Sequence, residues 1–437
     1  MSLEKLTDKS EFVVIGASYG DEGKGVVCRA IGDYITSQVK DPSIDGVELI
    51  GHRFNGGSQA LHHAFVKDEV VGFKMLPSIS SIYNNTMICG PELLFDPIVY
   101  LDNVRELSYK YPAFKPDLFI SRSTTFISLY DVITNLTVNE LIQEITGEHV
   151  GTCGAGIYEA FLRKTKFDDF PELNTSYGTL RCKGVDQFID LMDINYARYL
   201  ENFRIPKFNA DYNGDYTQLF RIKYLNTFDI VMESFYDKYN SALTTVFMMA
   251  SSDSSFNYSL YHVHIHEGAQ GLGLSFEKDP IHSTASITGV KHVNQEFANP
   301  KKAEVFYVSR IYNTRHGSGP LAGECTPYEL NIEVDFEHNK DNSYQGNFRY
   351  APLDINKLTD DINTDIKESP FKNNNIVLTC IQQLKSDKVK TVDHGDLTVQ
   401  QVVDIIKAKL NFGNSQIFFC TSAKGKLLSY NDYFNTK

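Results

Sequence analysis

The feature that most restricts this chain is a short apolar run, Phe12-Val-Val-Ile15, that breaks into Gly16-Ala-Ser-Tyr-Gly20-Asp21-Glu22-Gly23-Lys24-Gly25 and then into a helix-forming stretch. A strand, a glycine-rich loop and a helix, in that order, aim several backbone N–H groups and the positive end of a helix at one point. Such a point suits an oxyanion, and Lys24 adds a cation on a flexible stem. The spacing is not that of a standard P-loop. Six residues rather than four separate Gly16 from Gly23-Lys24, and Gly25 stands at the usual Ser/Thr magnesium position. The enlarged loop carries two carboxylates, Asp21 and Glu22, which repel a phosphate unless one holds a metal ion or moves a proton. A tight turn with a surface lysine is the plainer reading, and the flanking strand and helix argue against it.

The loop belongs to a longer alternation. Short apolar runs bounded by turn residues recur at Gly46–Ile50, Leu118–Ile120, Val263–Ile265, Val305–Val308, Ile376–Thr379 and Gln416–Phe419. Their length and β-branched or aromatic content predict buried strands. Helical stretches lie between them, at Gly25–Tyr34, Val138–Thr146, Gly184–Phe203 and Val399–Lys409. This pattern predicts an α/β fold with a large, mainly parallel central sheet flanked by helices. No linker or repeat divides the chain, so a single domain over residues 1–437 is expected, with a helical insertion from about 185 to 260 outside the sheet. The Asn- and Asp-rich segments Asp335–Asn347 and Ser369–Asn375 read as exposed loops.

Composition narrows the function. A hydrophobic fraction of 42% supports a sizeable core, and a net charge of −13 excludes a surface built for nucleic acid. A small anionic substrate stays compatible, because a few local groups can hold a phosphate. The N-terminus does not read as a secretion signal, and no apolar run reaches the ~18 residues of a membrane span. Seven scattered cysteines without a C-x-x-C pair signal neither a disulfide framework nor a zinc site. These features lead us to expect a soluble, intracellular protein with no membrane partner.

A second segment, His52-Arg53-Phe54-Asn55-Gly56-Gly57-Ser58-Gln59-Ala60-Leu61-His62-His63, joins a flexible Gly-Gly pair to two histidines that can serve as acid, base or donor to developing charge. Together the two segments resemble the adenylosuccinate synthetase family. Gly20–Gly25 looks like its G-D-E-G-K-G signature. Arg53 to His62 resembles its R-x-x-G-G-x-N-A-G-H, with Gln59 for Asn and Leu61 for Gly. Gly151-Thr-Cys153-Gly154-Ala-Gly156-Ile157 resembles its G-T-T-x-x-G-I, Glu267-Gly-Ala-Gln270-Gly271-Leu-Gly-Leu274 its E-G-A-Q-G-x-x-L, and Tyr312-Asn-Thr-Arg315-His316-Gly317-Ser-Gly319-Pro320 its Y-x-T-R-x-G-x-G-P.

The resemblance implies that family's P-loop-like fold, a homodimer in the cytoplasm, and a magnesium-dependent reaction between small molecules. In it a nucleoside triphosphate, GTP or ATP, phosphorylates the 6-oxygen of IMP, and the amine of aspartate displaces the phosphate. By the same resemblance, Asp21 is the base that takes the N1 proton, and it binds Mg2+ with the backbone carbonyl of Leu61. Lys24 and the N–H groups of Gly20, Glu22, Gly23 and Gly25 hold the triphosphate, and His62 donates to the transferring phosphoryl group or the 6-oxygen. Gln59, Thr152, Cys153, Gln270, Leu274, Ser283, His316 and Gly317 line the monophosphate pocket. The cluster Arg163, Lys164 and Lys166 is matched to a basic group that the family's partner subunit supplies.

The departures gather on specificity. The family's arginine-rich amine-donor loop becomes Tyr344-Gln-Gly-Asn-Phe-Arg349-Tyr-Ala-Pro-Leu353-Asp354, with Arg349 alone. Each lost charged hydrogen bond weakens a dicarboxylate by roughly 1.5–3 kcal/mol. The guanine-reading T-K-x-D becomes Thr379-Cys380-Ile381-Gln382, and an amide at Gln382 can pair with an adenine edge. Cys153 and Ser283 stand where the family has Thr. Two rivals follow: the same chemistry with altered specificity (ATP, a GMP-like or deoxynucleotide substrate, or another amine), and a nucleotide-binding protein without turnover. The triple His262-Val-His264-Ile-His266 invites a metal, but same-face residues lie ~6.6 Å apart on a strand, which fits one ion poorly.

Overall fold

The computed structural model describes residues 11–38, 49–66, 69–80, 86–147, 152, 154–166, 171–190, 192, 217–257, 263–278, 283, 285–293, 303–334, 347–422 and 424–435. In chain order the strands are β1 (Glu11–Gly16), β2 (Leu49–Gly56), the hairpin β3 and β4 (His62–Val66, Glu69–Phe73), β5 (Thr86–Phe95), β6 (Asp117–Ile120), β7 (Thr125–Phe126), β8 (Ala250–Ser252), β9 (Val263–Gly271), β10 (Ala303–Arg310), β11 (Asn313–His316), β12 (Phe348–Ala351), β13 (Asn373–Thr379), the hairpin β14 and β15 (Lys388–Thr391, Gly395–Thr398), β16 (Ile417–Cys420) and β17 (Leu427–Ser429). Eleven of them form one sheet, ordered β17-β16-β13-β10-β1-β9-β2-β5-β6-β8 with β7 beside β5. Its pairings are parallel except β16 with β17.

Side-chain alternation explains why the central strands read as continuous apolar runs. In β1, Phe12 and Val14 pack with Val27, Cys28 and Ile31 of the helix Lys24–Gln38. Val13 and Ile15 point to the opposite face, in a cluster with Ile355, Leu358 and Ile362 of the helix Ile355–Glu368 and Val399, Val402 and Ile406 of the helix Val399–Leu410. β10 repeats the pattern, with Phe306 and Val308 on the first face and Val305 and Tyr307 on the second. Both faces are therefore covered, as a parallel sheet requires. A third cluster joins β5 and β6 to the helices Pro97–Lys110, Leu129–Thr146 and Thr217–Met249.

The fold class expected from the sequence is the one observed. Two expectations need correction. The region 185–260 is not a purely helical insertion: Thr217–Met249 is one long helix, but the chain then re-enters the sheet as β8, paired in parallel with β6. The Asn-rich stretch Asn373–Asn375 is strand, not loop. Asn375 Nδ2 donates to Glu304 Oε2 at 2.8 Å and to the Val305 carbonyl at 3.1 Å, so its amide is satisfied inside the sheet. The loop expected at Asp335–Asn347 lies, except for Asn347, outside the described residues. Among the described residues, no helix is long and apolar enough to cross a membrane.

What the topology does for function is simple. β13, β10, β1, β9 and β2 are neighbours and run the same way, so their C-terminal ends meet at one edge. The sequences leaving those ends are Thr379-Cys380, Arg310, the Gly16–Gly25 loop, Gln270-Gly271 and Gly56-Gly57. Ligands of open parallel sheets bind at such an edge.

Candidate active site

The loop after β1 is closed by its own glutamate. Glu22 Oε1 accepts from the Ser18 and Gly20 amides, each at 2.9 Å, while Oε2 takes the Lys24 ammonium at 2.9 Å. Both side chains are buried, so the pairing offsets the cost of burying either charge. This bears on the puzzle of two carboxylates at an anion site: Glu22 organises the loop, and its side chain is taken up in doing so. It also corrects the expectation of a mobile Lys24, which here is held by a counter-charge. Only glycine fits at position 16, where a Cβ would lie 2.4 Å from Glu22 Oε2 and 2.6 Å from the Gln270 carbonyl.

Asp21 is half-buried with a φ of 57°, a left-handed conformation that Asp tolerates better than most residues. Burial raises its pKa above the usual value; Arg310, Lys24 and His316 pull the other way, and Glu22 adds to the rise. A carboxylate so placed is a poised base. Gln270, with a φ of 64°, lies against the loop at Gly20: a Cβ on Gly20 would meet Gln270 Oε1 at 3.1 Å and Leu274 Cδ1 at 3.7 Å. Two non-glycine residues in the left-handed region at one site mark strain that the surrounding structure sustains.

His62 opens β3, and its ring Nδ1 donates to Glu267 Oε1 at 2.5 Å. Burial lowers the pKa of His62 to about 4 despite the attraction of Glu267. Burial also works against the Glu267 carboxylate, yet His62, Arg53 and the Ser78 donors bring its pKa down to about 2. Glu267 is thus ionised and His62 neutral near pH 7, which fixes the proton on Nδ1 and leaves Nε2 as the other ring nitrogen. Ser78 completes the anchor, donating to Glu267 from N at 2.7 Å and from Oγ at 2.5 Å. Glu267, Ser78 and Arg310 had no role in the sequence reading, because their partners lie on other strands.

Gln59 lies beside β9, where a Cβ on Gly56 would meet Ala269 Cβ at 2.4 Å and Gln59 Nε2 at 3.8 Å. Its amide atoms, Ser283 Oγ and His316 Nε2 are buried without a partner among the described residues, and such groups call for an explanation of which a bound ligand is one. The His316 ring rests edge-on against Phe348, and the Gly317 amide donates to the Asn347 carbonyl at 3.2 Å. Thr152 is tied to the helix Leu129–Thr146, through Asn139 and through Asn135 Oδ1 at 3.1 Å. Cys153 lies outside the described residues.

Several predicted residues sit in settings that the sequence did not show. Arg349 is spent within the protein: it pairs with Glu324 and donates to the carbonyls of Gly317 and Gly319, each at 2.8 Å, bracing the turn after β11. Gln382 is exposed, whereas its neighbour Gln383 is buried and accepts from Tyr312 Oη at 2.5 Å. Arg163 cannot reach a partner subunit's site. It is wholly buried, pairs with Asp131 at 2.6 Å, and donates to the Leu173 and Phe126 carbonyls. Lys164 pairs with Glu92 at 2.8 Å, and Lys166 is exposed. Arg163→Ala is expected to cost ~3–5 kcal/mol in urea unfolding by stranding Asp131; an unchanged midpoint would contradict that structural role.

The histidine run is also structural. His52 Nε2 and His264 Nδ1 share a hydrogen bond of 2.8 Å, His52 stacks on His266 at 4.1 Å, and His266 Nε2 donates to Glu11 at 2.7 Å. Burial takes the pKa of His266 down to about 3 and holds that of His52 well below its usual value, so these two rings are neutral inside the sheet. His262 lies outside the described residues.

Comparisons with known proteins identify the family and the fold. A family model described as adenylosuccinate synthetase matches residues 13–342. The chain belongs to the adenylosuccinate synthetase family. It is 26% identical over 326 residues to the adenylosuccinate synthetase of Picrophilus torridus, covering 73% of this chain and 66% of that protein. The Borrelia duttonii adenylosuccinate synthetase is 25% identical over 321 residues, 72% and 65% of the two chains. The match therefore spans about two thirds of these relatives' length. The fold resembles that of a fully ligated Plasmodium falciparum adenylosuccinate synthetase (TM-score 0.63, 17% identity, 96% of this chain and 99% of that one). It also resembles the succinoaminodeoxyadenylate synthetase of cyanophage S-2L, solved with dGMP and with dATP as energy donor (TM-score 0.56, 13% identity, 98% of each chain). The family match ends at residue 342, before Arg349 and before the segment Thr379–Gln382.

Proposed function

We propose that this member of the adenylosuccinate synthetase family activates the 6-oxygen of a purine nucleoside monophosphate with a nucleoside triphosphate and replaces the phosphate by an amine. IMP, aspartate and GTP, giving adenylosuccinate, are the first substrates to test. The observation that carries the reading is Asp21, a half-buried carboxylate of the glycine-rich loop whose pKa burial raises against the pull of Arg310 and Lys24. Asp21 would take the N1 proton, so that O6 becomes the nucleophile. Lys24 would turn from Glu22 to the phosphates, and the N–H groups of Glu22 to Gly25 would hold the transferring group. Phosphate charge near Nε2 favours a second proton on His62, and Glu267 would stabilise the resulting imidazolium as it donates to O6 or the phosphoryl group.

The donor set suits magnesium. With Glu22 engaged, one carboxylate, Asp21, remains beside the loop, and Mg2+ commonly takes one or two carboxylates and completes its octahedron with phosphates and water. Asp21 and the Leu61 carbonyl would hold it, and the ion would supply charge neutralisation on the phosphate oxygens. A homodimer working in the cytoplasm completes the proposal.

A second reading has its own support. Arg349 is tied to Glu324, Gln382 replaces the family's guanine-reading Asp, and a structural neighbour binds dGMP and dATP. These favour ATP as donor and a guanine or deoxynucleotide substrate. Phosphate release across IMP, GMP and dGMP, with GTP or ATP and a panel of amino acids, decides between them. Release with IMP, aspartate and GTP alone supports the first reading. No release with any set, despite nucleotide binding by calorimetry, would leave a binding protein and sink both.

A further inference from the structure

Asp21 holds a left-handed backbone that two side chains from other strands secure. Arg310, at the end of β10, donates from Nε to the Asp21 carbonyl at 2.7 Å. Thr379, at the end of β13, donates from Oγ1 to the Glu22 carbonyl at 2.8 Å. Consecutive carbonyls of the loop are thus clamped from two neighbouring sheet positions. Arg310 is itself buried and fixed in turn. Its Nη1 donates to Tyr312 Oη at 2.8 Å, and its Cζ lies 5.5 Å from the Phe348 ring centroid and 5.6 Å from that of Tyr312. Tyr312 passes the constraint on by donating to Gln383 Oε1 at 2.5 Å.

We propose that Arg310 is the positioning residue for Asp21: its guanidinium spends a donor on a backbone carbonyl to set where the catalytic carboxylate stands. Through Tyr312 and Gln383 it also links that placement to the segment next to Gln382, which would face the base of the triphosphate. A planar guanidinium suits the task, because one group can bond the carbonyl, bond the phenol and stack on two rings. The inference rests on the proposed role of Asp21, and the test separates the two.

Arg310→Ala, Arg310→Lys and Tyr312→Phe are compared with the parent. Arg310→Ala should lower kcat about a hundredfold, since misplacing a reacting group by ~1 Å costs that much, with KM for both nucleotides within about threefold. Arg310→Lys, whose ammonium reaches the carbonyl without the second bond, should recover about tenfold of the loss, with Tyr312→Phe between it and the parent. Hydrogen exchange of residues 16–25 should quicken about tenfold in Arg310→Ala, while that of Val399–Leu410 is unchanged. A kcat within about threefold of the parent, a change confined to KM, or equal quickening of both segments overturns the positioning role. If the parent releases no phosphate with any substrate set, the functional reading fails. Exchange in the loop then decides the clamp alone, and unchanged exchange refutes it.

Discussion

Replacing Asp21 with Asn should reduce phosphate release by about three orders of magnitude while the Kd for the purine monophosphate stays within about threefold. Asn keeps the shape of Asp and tolerates the left-handed φ of 57°, so the Arg310 contact to the residue 21 carbonyl survives. What is lost is a carboxylate able to take a proton. General acid–base groups are worth ~10²–10⁴ in rate, and losing the proposed magnesium contact would add to the loss. Asp21→Ala should show the same loss of turnover with added backbone strain of ~1 kcal/mol, visible as a lower Tm. Near-normal rates in either variant would remove Asp21 from the chemistry. Lost monophosphate binding would recast it as a ligand for substrate rather than a base.

Glu267→Gln is expected to damage both stability and turnover, and a second substitution separates the effects. Glu267 is fully buried, accepts from His62 and Ser78, and is the carboxylate that Arg53 faces. Arg53 is itself fully buried, and its Nε and Nη2 have no hydrogen-bond partner among the described residues. Taking away the negative charge leaves a guanidinium in the core without compensation, a loss of ~3–5 kcal/mol in denaturant unfolding. The amide also stops holding the His62 proton on Nδ1, and a histidine in the wrong tautomer can cost up to about 10⁴ in kcat. Adding Arg53→Met should restore most of the stability, because the stranded charge is gone, yet leave turnover low. If Glu267→Gln alone keeps both Tm and kcat, the pair is not the anchor of the site.

The order of the motifs was legible along the chain because each is local. Phe12–Gly25 needs only its own neighbours to become strand, loop and helix. The apolar runs at Val305–Val308 and Ile376–Leu378 are continuous because helices cover both faces of the sheet. β5 escaped notice, since Gly90 and Pro91 interrupt its middle, and β8 is only three residues at the end of a 33-residue helix. Asn373–Asn375 looked like a loop because asparagine favours turns, but strand pairing and the Glu304 acceptor override that preference.

By itself the sequence determined the kind of chemistry available. Glycines, a lysine, two carboxylates and a histidine at these spacings can meet phosphate, metal and proton. Which residue does which was decided in three dimensions, because a charge acquires its role from what it is buried against. Glu22 turned inward to Lys24; Arg163 and Arg349, alike as basic residues in the sequence, were claimed by Asp131 and Glu324. Arg310 reached the Asp21 carbonyl only when β10 came to lie beside β1, and Glu267 met Arg53 only when β9 came to lie beside β2. Contacts of that range are set by the order of strands in the sheet, and no spacing along the chain encodes them.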